Sequence, residues 1–125
     1  MILPDHLHAL WTLPSGESDF ATRWRLIKAA FSRGLSAAER VSPGRSRKRE
    51  RGIWQRRFWE HTIRDDDDFA RHIDYIHFNP VKHSCAERVQ DWPFSSFHRI
   101  LRIGCYPPGW AGRPGDEPDS GFGER

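Results

Sequence analysis

The sequence contains little cysteine and no long hydrophobic run. Its 125 residues include two cysteines, Cys85 and Cys105, which are too few for a disulfide scaffold and form no CxxC pair. The longest uncharged apolar run falls far short of the roughly 18 residues that a membrane span needs, and no signal-peptide pattern opens the chain. These absences argue against a membrane protein and favour a reducing, cytoplasmic setting.

The composition is that of one small domain. A mass of 14.7 kDa, 37% hydrophobic residues and a mean hydropathy of −0.77 allow a modest core and argue against wholesale disorder. Pro, Gly and acidic residues dominate from Tyr106 onward. We therefore expect one domain over residues 1–105, with a basic loop at residues 40–57, followed by a flexible tail over residues 106–125.

The positive charge is concentrated in one block. The net charge is only +3, yet eight basic residues and a single acid, Glu50, lie between Arg40 and Arg57. Charge runs of this kind are usually solvated surface loops. Trp54, Phe58 and Trp59 interleave or follow the arginines, however, and aromatic faces beside arginines suit unpaired bases. The block therefore indicates a polyanionic partner.

Hydrophobic spacing predicts the secondary structure of most of the chain. We expect a strand after Pro4, helices over Phe20–Leu35, Asp65–Phe78 and Pro93–Ile103, an aperiodic loop over Val41–Arg51, and an extended stretch or hairpin arm over Ile53–Ile63. Pro80 is expected to stop the second helix and to hold Asn79 outside helical geometry.

The first candidate for chemistry is the tripeptide His6-Leu7-His8. Side chains two apart on a strand project from the same face, so both imidazoles would lie side by side. Paired imidazoles are half of a divalent-metal site. Taken alone, the tripeptide is explained more simply by two half-exposed histidines on a sheet edge.

The second candidate is Tyr75 with Asn79, four residues further on. Positions four apart share one flank of a helix. A tyrosine near a metal ion can act as a nucleophile on phosphorus, and the amide oxygen of Asn79 could add a neutral third ligand. The alternative is that Tyr75 lies at a core edge and Asn79 caps the helix.

Five ordered blocks resemble the REP-associated tyrosine transposases, which are single-tyrosine relatives of the HUH endonucleases. The blocks are residues 3–8 (LPDHLH), 22–28 (TRWRLIK), 52–61 (GIWQRRFWEH), 75–82 (YIHFNPVK) and 91–97 (DWPFSSF). The resemblance implies an α+β, ferredoxin-like (RRM-like) antiparallel sheet with helices on one face. Because the chain begins almost on the His-Leu-His motif, it also implies a domain truncated at its N-terminus, without its first strand and helix.

The resemblance also implies roles for individual residues. His6, His8 and Asn79 correspond to the metal ligands, with Mg²⁺ or Mn²⁺ as the ion, and Tyr75 corresponds to the nucleophile. The implied reaction cleaves single-stranded DNA next to repetitive extragenic palindromes, which form hairpins, through a 5′-phosphotyrosine bond that a 3′-hydroxyl can later attack. A possible homodimer and a nucleoid-associated location in a bacterium are further expectations.

The basic and aromatic side chains of the matching blocks are the candidates for DNA binding. They are Arg23, Arg25, Lys28, Arg45, Arg47, Lys48, Arg49, Arg51, Trp54, Arg56 and Arg57. Glu60 and His61 lie in a matching block but receive no chemical role.

Two other interpretations remain open at this stage. A truncated remnant could bind nucleic acid while cleaving it weakly or not at all, since metal sites tolerate little displacement of their ligands. A small zinc protein is the third interpretation. It would use some of His6, His8, His61, His72, His77, His83, Cys85 and Cys105, whose spacing fits no structural zinc pattern.

Overall fold

A computed structural model describes residues 1–112 of the chain. These residues form four α-helices and one short 3-10 helix. The elements are α1 (Phe20–Arg33), α2 (Pro43–Arg47), α3 (Asp66–Lys82), the 3-10 helix (Val89–Asp91) and α4 (Phe97–Arg102). Of the residues described, none belongs to a named strand, and pairing is limited to an isolated antiparallel bridge between Ile2 and Leu7. The ferredoxin-like sheet therefore stays a prediction.

The chain divides into two compact units. Unit 1 contains Met1–Leu10 together with the chain from His61 onward, and unit 2 contains Trp11–Glu60. Unit 1 thus joins the His-Leu-His motif to α3 and α4, whereas unit 2 holds α1, α2 and the basic block. Within residues 1–112, no helix combines the length and hydrophobicity that crossing a membrane requires.

Helix α1 of unit 2 agrees with the spacing of its apolar residues and ends two residues earlier than expected. The side chain of Asp19 caps its first turn by accepting a hydrogen bond from the Thr22 N–H at 3.0 Å. At its other end Arg51 donates to the carbonyls of Leu35 at 3.0 Å and Ser36 at 2.8 Å. These bonds satisfy carbonyl groups in the turn that follows the helix.

Two segments of unit 2 differ from the sequence expectation. The loop predicted over Val41–Arg51 contains the short helix α2, which a proline opens at its first position. Residues 53–60 form neither a strand nor a hairpin arm. Their aromatic rings pack instead against α1, where Trp54 lies 5.3 Å from Phe31 and Phe58 lies 6.0 Å from Phe20 between ring centroids.

Helix α3 is longer than its sequence predicts, and the expected stop at Pro80 is wrong. The helix runs to Lys82 with Pro80 inside it, and the N–H of His83 still reaches the Asn79 carbonyl at 3.0 Å. A proline removes one donor but has a helical φ, so surrounding packing can carry a helix past it. Asn79 and Pro80 are both fully buried. Asn79 is therefore an interior helical residue, not a cap.

The interior of unit 1 is built around α3 and α4. Phe97 and Val89 are each 1% exposed and are its best-buried apolar side chains. The predicted third helix is shorter than expected, because the segment from Pro93 to Ser96 precedes α4 without being helical. Helix α4 therefore begins at Phe97, which places this side chain in the core at the first helical position.

A hydrogen-bonded chain of buried polar groups crosses the same interior. The hydroxyl of Tyr106 donates to Asp74 Oδ1 at 2.7 Å and lies 3.0 Å from His77 Nδ1, while His77 Nε2 lies 2.9 Å from Ser96 Oγ. A neutral imidazole protonated at Nδ1 satisfies every member of this chain. Burial lowers the pKa of His77 to about 4, which keeps it neutral near pH 7.

The chain after residue 105 contacts the core of unit 1 as far as it is described. The rings of Tyr106 and Trp110 stack with centroids 4.3 Å apart, and Trp110 lies 5.8 Å from Phe97. Tyr106 and Trp110 therefore pack on unit 1, and the boundary at residue 105 stays a prediction. The rest of the predicted tail, residues 113–125, lies outside the described residues.

Candidate active site

The amino-terminal segment is fixed by residues from the far end of the described chain. The N–H of Ile2 donates to the Phe94 carbonyl at 3.0 Å, and Trp92 Nε1 donates to the Ile2 carbonyl at 2.9 Å. The segment then folds back on itself, because the N–H of His8 reaches the Met1 carbonyl at 3.0 Å. This tight turn places the rings of His6 and His8 next to each other, with centroids 5.0 Å apart.

Helix α3 brings the other two candidate residues to the same place. Asn79 Oδ1 lies 3.1 Å from His6 Nε2, and the ring of Tyr75 lies 5.6 Å from that of His8 between centroids. Tyr75 is half-buried, whereas Asn79 is completely buried. Since Tyr75 and Asn79 are one helical turn apart, each faces one histidine. All four residues predicted to form the site therefore lie together in unit 1.

Asp5 orients the ring of His6. Its Oδ1 lies 2.7 Å from His6 Nδ1, and this hydrogen bond lowers the pKa of the Asp5 carboxyl. The amide oxygen of Asn79 can only accept, so it accepts from His6 Nε2 when that nitrogen carries the proton. With the proton on Nδ1 beside Asp5 instead, His6 Nε2 and Asn79 Oδ1 both offer lone pairs to a cation. Two lone-pair donors at this separation fit a bound cation, because cis ligands about 2.1 Å from an octahedral ion lie about 3.0 Å apart. The residues present thus fit a divalent metal.

Two further residues lie at this site and were missed by the sequence reasoning. Lys82 Nζ lies 3.3 Å from the hydroxyl of Tyr75 and 4.9 Å from the centre of its ring. The ring of His83 lies 5.1 Å from that of His6. Lys82 and His83 follow Tyr75 and Asn79 by seven and four residues, which are helical repeats. This spacing could have found both, had the helix been expected to continue beyond Pro80.

The candidate DNA-binding residues all belong to unit 2, and some are committed to contacts within it. Arg51 binds carbonyl groups after α1 and pairs with Glu39. Trp54 donates from Nε1 to Ser32 Oγ at 3.0 Å. Arg45 donates to the Gly52 carbonyl at 2.9 Å. These contacts stabilise unit 2, and the role of the same side chains in DNA binding stays a prediction.

Other candidates in unit 2 have looser engagements. Lys28 lies over three aromatic rings, 5.7 Å from the centres of Trp54 and Phe58 and 6.0 Å from Trp24. Arg23 and Arg56 form exposed ion pairs with Glu17 and Glu50, which contribute little to stability. The remaining basic candidates are exposed: Arg25, Arg47, Lys48, Arg49 and Arg57. This exposed set is the part of unit 2 best suited to phosphate contacts.

Curated relatives match the chain over most of its length. A protein of Haemophilus influenzae, named as an inferred REP-associated tyrosine transposase, is 51% identical over 114 residues, 90% of this chain. The REP-associated tyrosine transposase of Escherichia coli is 46% identical over 125 residues, all of this chain. The chain spans 65% and 66% of the lengths of these two relatives, respectively.

No family model and no solved structure matches the chain. The family assignment therefore depends on the two relatives, whose identity levels over 90% and 100% of the chain leave little room for chance similarity. The five motif blocks that resemble this family fall within the matched length. The chain belongs to the REP-associated tyrosine transposase family.

Proposed function

We propose that this protein nicks and rejoins single-stranded DNA through a covalent bond between Tyr75 and a 5′-phosphate. The observation that supports the proposal is the convergence of His6, His8, Tyr75 and Asn79 in unit 1, with 3.1 Å between His6 Nε2 and Asn79 Oδ1. The names of the two relatives point to the same class of reaction. The proposed substrate is a hairpin with a flanking single strand, as in a repetitive extragenic palindrome.

His6, His8 and Asn79 are the residues proposed to hold the metal. Two imidazole nitrogens and an amide oxygen are all neutral donors, so the ion would keep its full positive charge. A bound Mg²⁺ or Mn²⁺ would polarise the scissile phosphate and offset the charge that develops on it. The amide oxygen and the remaining water ligands suit Mg²⁺ and Mn²⁺ alike, so either ion is expected to support the reaction.

Tyr75 is the proposed nucleophile. Its phenol oxygen attacks phosphorus, the bond from phosphorus to the 3′-oxygen breaks, and the phenol proton ends on the released 3′-hydroxyl. Lys82 Nζ lies 3.3 Å from the Tyr75 oxygen and would stabilise the negative charge this oxygen acquires during the attack. One phosphodiester replaces another, so the step needs no nucleotide cofactor. The reverse attack by a different 3′-hydroxyl would join strands.

DNA binding is proposed for the exposed basic side chains of unit 2. Arginines and lysines that contact phosphates release counterions, so binding should weaken steeply as salt rises. If these side chains do not contact phosphates, replacing them should change neither the affinity for DNA nor its dependence on salt.

The decisive experiment compares the protein with its Tyr75→Phe variant. Each is incubated with Mn²⁺ and an end-labelled hairpin that carries a single-stranded flank, and the products are separated on a denaturing gel. The unaltered protein should give a slowly migrating covalent adduct, and Tyr75→Phe should give none while binding the hairpin with unchanged affinity. An adduct that persists in the variant would refute Tyr75 as the nucleophile.

A second outcome would favour the non-catalytic interpretation. If the protein binds the hairpin in a salt-sensitive way but forms no adduct with either Mg²⁺ or Mn²⁺, it acts as a nucleic-acid-binding protein. The exposed arginines and lysines of unit 2 support this second function. A Tyr106→Phe variant removes the hydroxyl of the other tyrosine, which bonds Asp74 and His77 in the interior of unit 1, and serves as the control once circular dichroism shows that it is folded.

A further inference from the structure

A group of titratable side chains at the beginning of α3 takes no part in the proposed reaction. His61, Asp68 and His72 each offer one ligand atom, and these atoms lie within 4.8 Å of one another. Asp68 and His72 are four residues apart on α3, so helical spacing places them on the same face. His61 comes from the segment that precedes the helix. Asp68 and His72 are neighbours on one helix, whereas His61 reaches them only through the tertiary structure.

The carboxylate of Asp68 holds the group together. Its Oδ2 lies 2.8 Å from His61 Nε2, and its Oδ1 lies 3.0 Å from His72 Nδ1. The backbone N–H of Arg64 donates to the same Oδ2 at 3.0 Å. The two imidazole rings stack with centroids 4.2 Å apart and planes 16° from parallel. The three side chains that would ligate a metal are therefore held in position before the ion binds. This preorganisation lowers the conformational entropy that is lost on binding.

Burial and charge at this group favour a cation. The side chains of Asp68 and His72 are 8% and 9% exposed, whereas that of His61 is 25% exposed and forms the open side. Asp68 is an acidic side chain, and its two carboxylate oxygens face the two imidazoles. With neutral imidazoles the group carries one negative charge in a poorly hydrated position. A divalent ion would neutralise this charge.

We propose that His61, Asp68 and His72 form a second metal site, which takes Zn²⁺ or a chemically similar transition metal such as Co²⁺. Two nitrogens and one carboxylate oxygen are donors that zinc accepts, with water as the fourth ligand. Ligands about 2.1 Å from a tetrahedral zinc lie about 3.4 Å apart, so small side-chain movements would close the site. On metal binding the ring protons would move from His61 Nε2 and His72 Nδ1 to the opposite ring nitrogens, so that both imidazoles stay neutral. The ion would also replace the 2.8 Å hydrogen bond of His72 Nδ1 to the backbone carbonyl of Asp68.

This ion would have a structural role. It would tie the segment before α3 to the first two turns of the helix, and the same helix carries Tyr75 and Asn79 further along. Because a ligand that binds only the folded state raises stability, zinc should raise the unfolding temperature. The proposal does not depend on the DNA reaction, since no residue of the group belongs to the proposed catalytic set.

One neighbouring charge opposes metal binding and offers a test of it. The guanidinium of Arg71 lies 3.8 Å from Asp68 Oδ1 on an exposed side chain. Its positive charge would repel the ion through the partly solvated edge of the site. Arg71→Gln is therefore expected to tighten zinc binding severalfold. If zinc bound elsewhere on the protein, this substitution would leave its affinity unchanged.

The experiment removes the other imidazole pair first. A His6→Ala, His8→Ala double variant is stripped of metal and titrated with Zn²⁺ in a calorimeter and with Co²⁺ in a spectrophotometer. It should bind one equivalent of each metal, and the cobalt form should show the intense visible absorption of four-coordinate Co²⁺. Adding His61→Gln, a change at the most exposed ligand, should weaken binding at least about 100-fold, since even second-shell losses weaken metal sites 10–100-fold.

Controls separate loss of a ligand from loss of the fold. Asp68→Asn keeps the shape of the side chain while removing its charge and should also abolish binding, whereas His98→Gln removes an imidazole outside the group and should not. Circular dichroism checks that each variant is folded. The proposal is overturned if the His6→Ala, His8→Ala protein binds no zinc. It is equally overturned if folded His61→Gln and Asp68→Asn variants bind zinc unchanged.

Discussion

Helix α3 buries seven of its 17 residues, and five of those are polar or charged. Helix α1, which is described throughout, buries none of its 14. The same contrast extends to the units that contain them, because no residue of Trp11–Glu60 is buried while unit 1 holds a small apolar core. Buried polar groups must be matched to partners, so they fix side-chain positions closely. Half-exposed aromatic and basic side chains leave a surface that can adapt to a flexible strand.

This contrast agrees with the proposed function, in which unit 1 carries the nucleophile and the metal ligands and unit 2 binds DNA. A nucleophile and its metal ligands need positions accurate to a fraction of an ångström, which the hydrogen bonds around α3 can provide. Phosphate contacts tolerate variation, since each acts mainly through charge.

Removing the central side chain of unit 1 should have the largest effect. Phe97 is 1% exposed, so Phe97→Ala is expected to lower the free energy of unfolding by about 3–5 kcal/mol. Phe31 of unit 2 is 52% exposed, and Phe31→Ala should cost about 1 kcal/mol or less. Urea unfolding of both variants measures the difference. Equal losses would show that unit 2 is held by packing as firmly as unit 1.

Acid should destabilise unit 1 through His77. Because the folded-state pKa of about 4 lies below the ordinary 6.5, the unfolded chain binds the proton more readily. The stabilisation is present above pH 6.5 and is lost as pH falls toward 4, a change of about 2 kcal/mol after allowance for solvent screening. His77→Gln should flatten this part of the pH profile in denaturant melts. An unchanged profile in the variant would assign the acid sensitivity to other groups.

The basic residues of unit 2 should separate into structural and surface classes. Arg51→Ala removes donors to the Leu35 and Ser36 carbonyls and should destabilise the protein by about 1–2 kcal/mol. Arg47→Ala, an exposed change in the same block, should leave stability within about 0.5 kcal/mol. The second variant should instead weaken hairpin binding and make it less dependent on salt. If Arg51→Ala alone weakened DNA binding without loss of stability, the assignment would be reversed.

The smallest effect is expected at Lys82. Lys82→Met should slow formation of the Tyr75 adduct about tenfold, because a charge-assisted contact worth about 1.4 kcal/mol disappears from the attacking oxygen. Hairpin affinity and unfolding should change little, since the side chain is exposed. Lys82→Arg keeps the charge and should recover much of the rate. Failure of arginine to restore it would indicate a contact specific to the lysine ammonium.

Local patterns in the sequence predicted the helices well where the pattern was regular. The observed helix α1 begins at the predicted residue. Its apolar repeat consists of Phe20, Trp24, Ile27 and Phe31. Pro80 misled the prediction because a local rule was outweighed by burial of Asn79 and Pro80, which no local pattern reveals. The opening segment was expected as a strand, but hydrogen bonds to Phe94 and from Trp92 shape it into a turn.

The candidate site itself was predicted from the family resemblance and not from the residues alone. A His-Leu-His tripeptide and a Tyr75–Asn79 pair each had a simpler explanation, and nothing local joins them across about seventy residues. Lys82 and His83 were missed because the helix was expected to end too early. The group of His61, Asp68 and His72 was not separated from the other histidines, since His61 joins the helix only through tertiary structure.

The two hydrogen bonds that anchor Ile2 to Trp92 and Phe94 have a consequence for synthesis. Ribosomes release the amino terminus first, so His6 and His8 emerge long before the residues that hold their segment in place. A partly made polypeptide can form α1 and much of α3, yet the two hydrogen bonds to Ile2 cannot form until Trp92 and Phe94 have emerged. The amino-terminal segment is therefore fixed late, only when nearly the whole described chain has left the exit tunnel.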